Sequence, residues 1–363
     1  MILERYIQKE ILTKLGWIIT FLLVILASDR FVDYLAEAAA GELATDLILQ
    51  MLSMKMLSLL PRLLPVSLLL GVMLALSRMS QDRELTVVSS AGISEGYTIR
   101  SILKFSTLFA TLVFMISFYV SPWAEAEVRD LTSRAETEAD ITGIAAGHFR
   151  EFSKGDMVVY VEQMTNLNET MKNVFLQVRQ NGQLGVLNAD SARLFVKPET
   201  GSRYVRFTEG NRYVGEPGTL DYQITRFRNY AVLLRQGERG LSTGRVETLP
   251  TSVLLHSGQL PHRAELQWRL SFVIAVLLLP LFAFAINRYV TRDNRYVPVF
   301  ICILVYLIYS NLLGLSRTLV QRGELPVSIG LWWVHLSLLS VTMLLLKYPA
   351  IRNWYKQRSS KPL

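Results

Sequence analysis

Four arginines stand where an ionised side chain is costly, and they are the first residues in this sequence that could do chemistry. Arg30 closes one apolar run, Arg62 lies inside another between Pro61 and Pro65, Arg269 opens a third and Arg317 follows a fourth. Ionisable groups at membrane depth usually face a bundle interior or a cavity. The planar guanidinium fork matches phosphate in a bidentate way, so a ring of such groups at one end of a helix bundle suits a phosphorylated lipid headgroup. The plainer reading is snorkelling to an interface, which fits Arg269 and Arg322. It fits Arg62 least, because a proline-flanked arginine within an apolar run needs an anion or a polar cavity.

The second candidate is the stretch 80–92, Ser80-Gln81-Asp82-Arg83-Glu84-Leu85-Thr86-Val87-Val88-Ser89-Ser90-Ala91-Gly92. Ser80 reads as an N-cap, Asp82 and Glu84 supply acids to the first turn, and Gly92 reads as the stop. Leu85, Val88 and Ala91 recur at helical spacing. A short amphipathic helix of this kind docks into a partner's groove or lies on a membrane surface, with a solvated loop helix as the alternative.

Other motifs lead away from catalysis. Gly92-Ile93-Ser94-Glu95-Gly96 matches G-x-S-x-G, but that motif needs a preceding strand and histidine and acid partners. The four histidines, His148, His256, His262 and His335, have no metal-ligand spacing, and His335 reads as a polar packing residue. The sequence contains no G-x-x-x-x-G-K-[ST] loop, so any ATP-driven step belongs to another subunit. The chain reads as a non-enzyme with neither metal nor cofactor of its own. Asn168-Glu169-Thr170 is a glycosylation sequon by pattern only. The one cysteine, Cys302, lies in an apolar run and reads as a small buried hydrophobe.

These residues must be positioned by a membrane bundle. The 363 residues are 51% hydrophobic with a net charge of +8, and mean hydropathy is +0.29. The apolar residues concentrate in runs of roughly 17 to 20, long enough to cross a bilayer. Spans are expected at 11–28, 56–76, 105–120, 270–286, 297–314 and 327–346. Arg5, Lys9 and Lys14 precede the first span, and Arg78, Arg83, Arg100 and Lys104 lie between the second and third. Arg288, Arg292 and Arg295 lie between the fourth and fifth, and Lys347, Arg352, Lys356, Arg358 and Lys361 follow the sixth. Six crossings put all four groups on one side, which the positive-inside bias makes cytoplasmic. Asp33, Glu37, Glu42 and Asp46 then face the other way. The basicity is this bias and not a nucleic-acid surface. Ala38-Ala39-Ala40 resembles a cleavage site but lies beyond Asp29, Arg30 and Asp33, too far from the apolar run, so the first span reads as an uncleaved anchor.

A polar insert, 122–265, separates the third and fourth spans and reads as periplasmic if the cell is Gram-negative. Residues 125–146 look like a helical stalk. Short runs at 157–161, 174–178, 193–196, 204–208, 211–214 and 222–227 read as strands. They are punctuated at Gly155-Asp156, Asn181-Gly182, Pro198, Gly201, Gly210 and Pro217-Gly218. That spacing points to a sandwich, jelly roll or open barrel. The expected organisation is 1–121 (three spans and the helix near 80–92), 122–266 (stalk and β domain) and 267–363 (three spans and a cytoplasmic tail).

Arg83-Glu84-Leu85-Thr86-Val87 followed by Ala91-Gly92 resembles the cytoplasmic coupling helix of the LptF/LptG permease family. Met1-Ile2-Leu3-Glu4-Arg5-Tyr6 and Arg263-Ala264-Glu265-Leu266-Gln267-Trp268-Arg269 resemble the LptF branch rather than the LptG branch. The likeness runs along essentially the whole chain, including its three-span, insert, three-span layout. It implies six transmembrane helices with a periplasmic β-jellyroll, in a permease that extracts lipopolysaccharide from the cell inner membrane toward the outer membrane. It implies a heterodimer with the paralogue LptG, an LptB ATPase dimer holding ATP-Mg, and the single-span LptC. Glu84 becomes the coupling carboxylate, with Arg83, Leu85 and Val88 around it. Arg30 matches a basic position at the cavity rim, with Arg62, Arg269 and Arg317 as further substrate-binding candidates. Asp33 departs from the family, standing where a second positive residue is common. The alternative is a permease for another ATPase-coupled amphiphile or a lipoprotein.

Overall fold

The computed structural model describes residues 2–39, 43, 45–142, 147–152, 157–165, 170–180, 183–196, 203–215, 223–235, 243–289 and 296–359. Ala40, Glu42, residues 143–146, Asn168-Glu169, Tyr222, Arg292, Arg295 and Lys361 lie outside them. So do the turns at Gly155-Asp156, Asn181-Gly182, Pro198, Gly201 and Pro217-Gly218. The helices are α1 (Ile2–Ala39), α2 (Ile48–Gln81), α3 (Glu84–Ser90), α4 (Glu95–Met115), α5 (Ser121–Thr142), α6 (Thr251–His256), α7 (Leu260–Asn287), α8 (Val297–Arg322) and α9 (Trp332–Ser359). A π-helical turn, Ile116–Val120, joins α4 to α5. The strands are β1 (Phe149–Phe152), β2 (Met157–Thr165), β3 (Thr170–Gln180), β4 (Gln183–Val196), β5 (Arg203–Gly215) and β6 (Gln223–Arg235).

The chain divides into two compact units. One comprises Met1–Val32, Leu49–Val128 and Val246–Leu363, and the other Asp33–Ile48 and Arg129–Arg245. In the first, five helices among the described residues are long and apolar enough to cross a membrane, and Trp332–Tyr348 is a shorter apolar helix. The chain is a multi-pass helical bundle with an inserted β domain. Residues 122–128 and 246–266, grouped with the insert by their polarity, belong with the helices because ion pairs described below tie them there.

The bundle core joins Ile7, Ile11 and Leu15 of α1 to Leu68, Leu69, Val72 and Leu76 of α2, and to Leu279, Phe282 and Ala283 of α7. A Cβ at Gly71 would lie 3.3 Å from the Leu15 Cα, so a glycine allows the close approach of α1 and α2. His335, 5% exposed, is hydrogen-bonded to Tyr309 Oη at 2.8 Å and to Ser271 Oγ at 3.0 Å. It therefore pins α9 to α8 and α7, the polar packing role expected of it.

The sixth apolar helix starts at Trp332, five residues later than expected. Gln267 of α7 explains the delay. Its Nε2 donates to the Val327 carbonyl at 2.7 Å and its Oε1 accepts from the Leu331 N–H at 3.1 Å. A turn held across both groups cannot be a helix. Gly330, at φ +39°, leaves room for the Gln267 amide, which a Cβ there would strike.

The β unit is one six-stranded antiparallel sheet in the order β1-β2-β3-β4-β5-β6. The jellyroll expected for the insert thus takes the form of a meander of consecutive hairpins. Val159, Val161, Val174, Leu176, Leu187, Ala189, Ala192, Val205 and Phe207 are buried together on one face. Alternation along the strands slips by one residue at a single level. The ladder pairs Val161 with Val174 and then Gln163 with Lys172, skipping Glu162 and Asn173. The same break passes through Asp190, Glu209 and Arg228. Asn173 and Glu209 have φ of 48° and 50°, and Asn173 Nδ2 donates to Glu162 Oε2 at 2.8 Å. This transverse crease corrects the reading of 204–208 and 211–214 as separate strands. Gly210 does not end a strand; it lets β5 continue through the crease.

A Cβ at Gly210 would strike the Asn188 carbonyl oxygen and lie 2.8 Å from Phe227 Cζ. Overpacking of that kind costs ~1–3 kcal/mol. Gly210→Val is expected to speed amide hydrogen exchange in β4, β5 and β6 while exchange in α2 and α7 stays unchanged. Uniform protection across both units in the variant would contradict the crease.

Candidate functional site

At one end of the bundle the sequence places Pro61 and Pro65 inside α2. Proline disturbs the helical ladder around it, and side chains from other elements bond the backbone there. Ser121 Oγ donates to the Ser58 carbonyl at 2.9 Å, and Tyr306 Oη donates to that of Arg62 at 3.1 Å. The π turn beside them likewise takes side-chain partners. Thr251 Oγ1 donates to the Phe118 carbonyl at 2.6 Å, and Ser117 Oγ donates to the Arg269 carbonyl at 3.0 Å. Irregular turns of this type recur at functional sites.

Arg269 lies at the centre, 3% exposed. Its Nε donates to Glu265 Oε1 at 3.1 Å and its Nη1 to Thr251 Oγ1 at 2.8 Å. Its Nη2 donates to the carbonyls of Glu247 and Leu249, both at 2.9 Å. Arg269 is a clamp that binds the segment 247–251 to α7, and this chain already occupies its fork.

Arg317 and Arg62 are arranged differently. Arg317 Nη2 bridges Glu247 Oε1 and Glu265 Oε2, each at 2.8 Å. The Glu265 approach is an ion contact rather than a directed hydrogen bond. Arg317 Nε is a buried donor without a partner among the described residues. Arg62 Nη2 is 3.9 Å from Glu247 Oε1, with its side chain 48% exposed. The guanidinium carbons of Arg62 and Arg317 lie 5.8 Å and 5.1 Å from the centre of the Trp268 ring, which holds both by cation–π attraction. Lys55 donates to both oxygens of Glu125 at 2.9 Å and 3.1 Å.

These groups line a recess of about 60 Å³ with Ser58, Ser117 and Ser121. That holds a few waters or one small anionic group, and lies far below the ~300 Å³ of ligand pockets that bury whole organic molecules. Lys55, Arg62 and Arg269 line it against Glu125, Glu247 and Glu265, with Arg317 behind. Three of the four arginines singled out in the sequence therefore converge. Arg30 does not line the recess; on α1, its Nε lies 3.9 Å from Asp29 Oδ2. Sequence reasoning missed Glu247, Glu265, Thr251, Lys55 and Glu125 as site residues. The i,i+4 spacing of Glu265 and Arg269 was the one local signal for any of them.

At the other end lies α3, seven residues long and shorter than the helix read over 80–92. Ser80 is not its N-cap: α2 continues to Gln81, and Ser80 Oγ instead accepts from Asn287 Nδ2 at 3.1 Å. The cap is Arg83, left-handed at φ 60°. Gly92, at φ +81°, ends α3 as expected: its N–H reaches the Ser89 carbonyl and the Ile93 N–H that of Val88. This is a Schellman closure. A helix precedes the G-x-S-x-G stretch, so the nucleophile-elbow geometry is absent.

Glu84 accepts from Tyr6 Oη at 3.0 Å and 2.9 Å and from Arg78 Nη1 at 3.2 Å. Arg78 also reaches Glu10 at 2.8 Å, Asp82 at 2.9 Å and Tyr6 Oη at 2.8 Å. Arg78, counted in the sequence only as a positive charge, is the hub that fixes α3 to α1 and α2. Leu85 packs against the core, Val88 is half-buried and Val87 is 66% exposed.

Removing one partner from a buried ion pair leaves the other uncompensated, at a cost of ~3–5 kcal/mol. Arg269→Met is expected to lower thermal stability by about that amount, measured by melting the purified full-length protein in detergent. Arg62→Met, at the exposed position, should change it little. Equal melting shifts for the two variants would refute the clamp.

The family model for the lipopolysaccharide export system permeases LptF/LptG matches residues 5–348. Lipopolysaccharide export system permease protein LptF of Escherichia coli (strain K12) is 24% identical over 348 residues, covering 95% of this chain and 94% of the relative. LptF of Shigella flexneri matches to the same extent. LptG of Escherichia coli (strain K12) is 26% identical over 169 residues, 45% of each chain. With its near full-length match, the chain belongs to the LptF/LptG family of permeases.

Proposed function

We propose that this chain is the LptF-type permease subunit of an ABC transporter that lifts lipopolysaccharide from the cell inner membrane and passes it to its own β domain, on the route to the outer membrane. The observation that carries this reading is the match to the permease family along nearly the whole chain. In this reading the termini and α3 are cytoplasmic and the β unit periplasmic. An LptG paralogue completes the cavity, LptC continues the periplasmic route, and an LptB dimer hydrolyses ATP-Mg.

The geometry supports a division of labour. Taking a multi-acylated lipid out of a bilayer exposes apolar surface at about 0.8 kcal/mol per CH₂. The apolar face of the sheet, with Val159 and Phe207 buried in it, is chemically suited to receive acyl chains. The recess between α2, α5 and α7, with Arg317 of α8 behind it, is suited to one phosphate. Arg62, the most accessible of the three arginines there, makes the first contact and Arg317 the second, while Arg269 holds the scaffold. Arg30 contributes at the rim. Glu84, braced by Tyr6 and Arg78, presents a carboxylate on a helix whose orientation is set by its own bundle, so force applied by an ATPase at α3 reaches α1 and α2.

Affinity purification of the tagged chain from native membranes is expected to bring down a second permease, an ATPase and bound lipopolysaccharide. A preparation with neither ATPase nor glycolipid overturns the assignment. Glu84→Arg should abolish ATPase co-purification, and normal export in that variant contradicts the coupling role. Photo-crosslinkers at Val159 and Phe207 should capture lipopolysaccharide only when ATP is supplied. Capture solely at outward-facing positions such as Gln177 speaks against the apolar face as the route.

A further inference from the structure

Four bases face three acids around the recess, and Arg62, 3.9 Å from Glu247 Oε1, is the base held most loosely among the described residues. Lys55 is held by Glu125, and Arg269 is spent on Glu265, Thr251 and two carbonyls. The remaining pair, Arg62 and Arg317, shares Glu247. Burying a phosphate beside three carboxylates incurs repulsion and desolvation together. An anion can meet Arg62 at its exposed edge, but engaging Arg62 and Arg317 together requires a carboxylate to leave.

Glu247 is the carboxylate able to leave. Glu265 is 4% exposed and is gripped by Arg269 Nε at 3.1 Å and Arg317 Nη2 at 2.8 Å. Glu247 is 29% exposed, and its one close partner among the described residues is Arg317 Nη2 at 2.8 Å. Its backbone carbonyl is anchored separately by Arg269 at 2.9 Å. The side chain can thus swing outward while the backbone stays clamped. Its departure leaves Arg317 held by Glu265 alone at Nη2, with a buried Nε that lacks a partner among the described residues, across Trp268 from Arg62.

Resting on the reading that a lipid phosphate enters this recess, we propose that Glu247 is a displaceable internal counter-ion and a specificity-determining residue. It occupies the Arg62–Arg317 pair in the empty permease and exchanges for the phosphate of the arriving lipid. The exchange swaps one anion for another, so the two guanidiniums are never left uncompensated at membrane depth. A lipid without a phosphate cannot drive it, and such lipids are refused.

The test uses the assembled permease–ATPase complex in nanodiscs, with bisphosphorylated lipid A and the same lipid stripped of both phosphates as probes. Glu247→Gln removes the competing charge and is expected to tighten binding of the phosphorylated lipid about tenfold, the scale of one pKa-unit equivalent of charge interaction. Binding of the stripped lipid should not change. Glu247→Asp retains the competitor and should not gain affinity. Glu247→Ser repeats the measurement on a side chain too short to reach Arg317, in case Glu247→Gln does not assemble. Discrimination in the wild type with no gain in either neutral variant, or an equal gain for both lipids, overturns the counter-ion role alone. A wild-type complex that binds the two lipids equally overturns phosphate recognition, and this proposal with it.

Discussion

A guanidinium buried in a helical bundle has to satisfy its donors internally, and the way Arg269 does so shapes one whole end of this protein. Three hydrogen bonds tie α7 to Thr251 and to the backbone at Glu247 and Leu249, and a fourth stays within the helix, to Glu265. Thr251 passes the connection to the π turn of the third apolar helix, whose Ser117 returns a bond to the Arg269 carbonyl. The polar chain entering α7 is thereby fastened to the bundle. With that segment fixed, Glu247 and Glu265 stand where Arg317 needs them, and Arg62 completes the group over Trp268. An arginine that looked like a ligand contact is the frame on which the contacts are hung.

The opposite end uses the same logic at lower cost, because Arg78 is only part-buried and its partners are partly solvated. A seven-residue helix has no stability of its own, since isolated helices need about 12–15 residues to be even marginal. α3 exists because Arg83 and Gly92 close its two ends and because Tyr6, Arg78 and Leu85 attach it to the bundle. This makes its direction a property of α1 and α2. The site at each end is thus an arginine hub surrounded by carboxylates, one locked and one accessible.

The β unit poses a different constraint. A sheet whose side chains all alternate has one fixed inner face, whereas here every strand from β2 to β6 skips a step at the same level. The slip keeps apolar residues on one face on both sides of the crease and turns the charged row of Glu162, Asp190, Glu209 and Arg228 out of the alternation. Asn173 accepts a positive φ readily, Glu209 less so, and Gly210 is the residue whose missing Cβ makes room for the neighbouring strand.

Hydrophobic run length is a local property, so the amino-acid order by itself determined the number and approximate extent of the apolar helices. It also determined the position of the insert, its β character and the stop at Gly92. The resemblance of Arg83–Val87 and Arg263–Arg269 to one permease family was equally readable, because it rests on short contiguous motifs. What the tertiary structure alone decided were pairings between residues distant in the chain: Arg317 with Glu247, Lys55 with Glu125, Tyr6 with Glu84, Gln267 with the 327–331 turn. Burial of a charge depends on which helices surround it, and no local pattern encodes that. The sequence could therefore name the arginines but not say that Arg269 is already occupied while Arg62 is accessible. The crease escaped for a related reason: a one-residue slip shared by five strands reads as broken alternation in each strand alone and becomes regular only when they are paired.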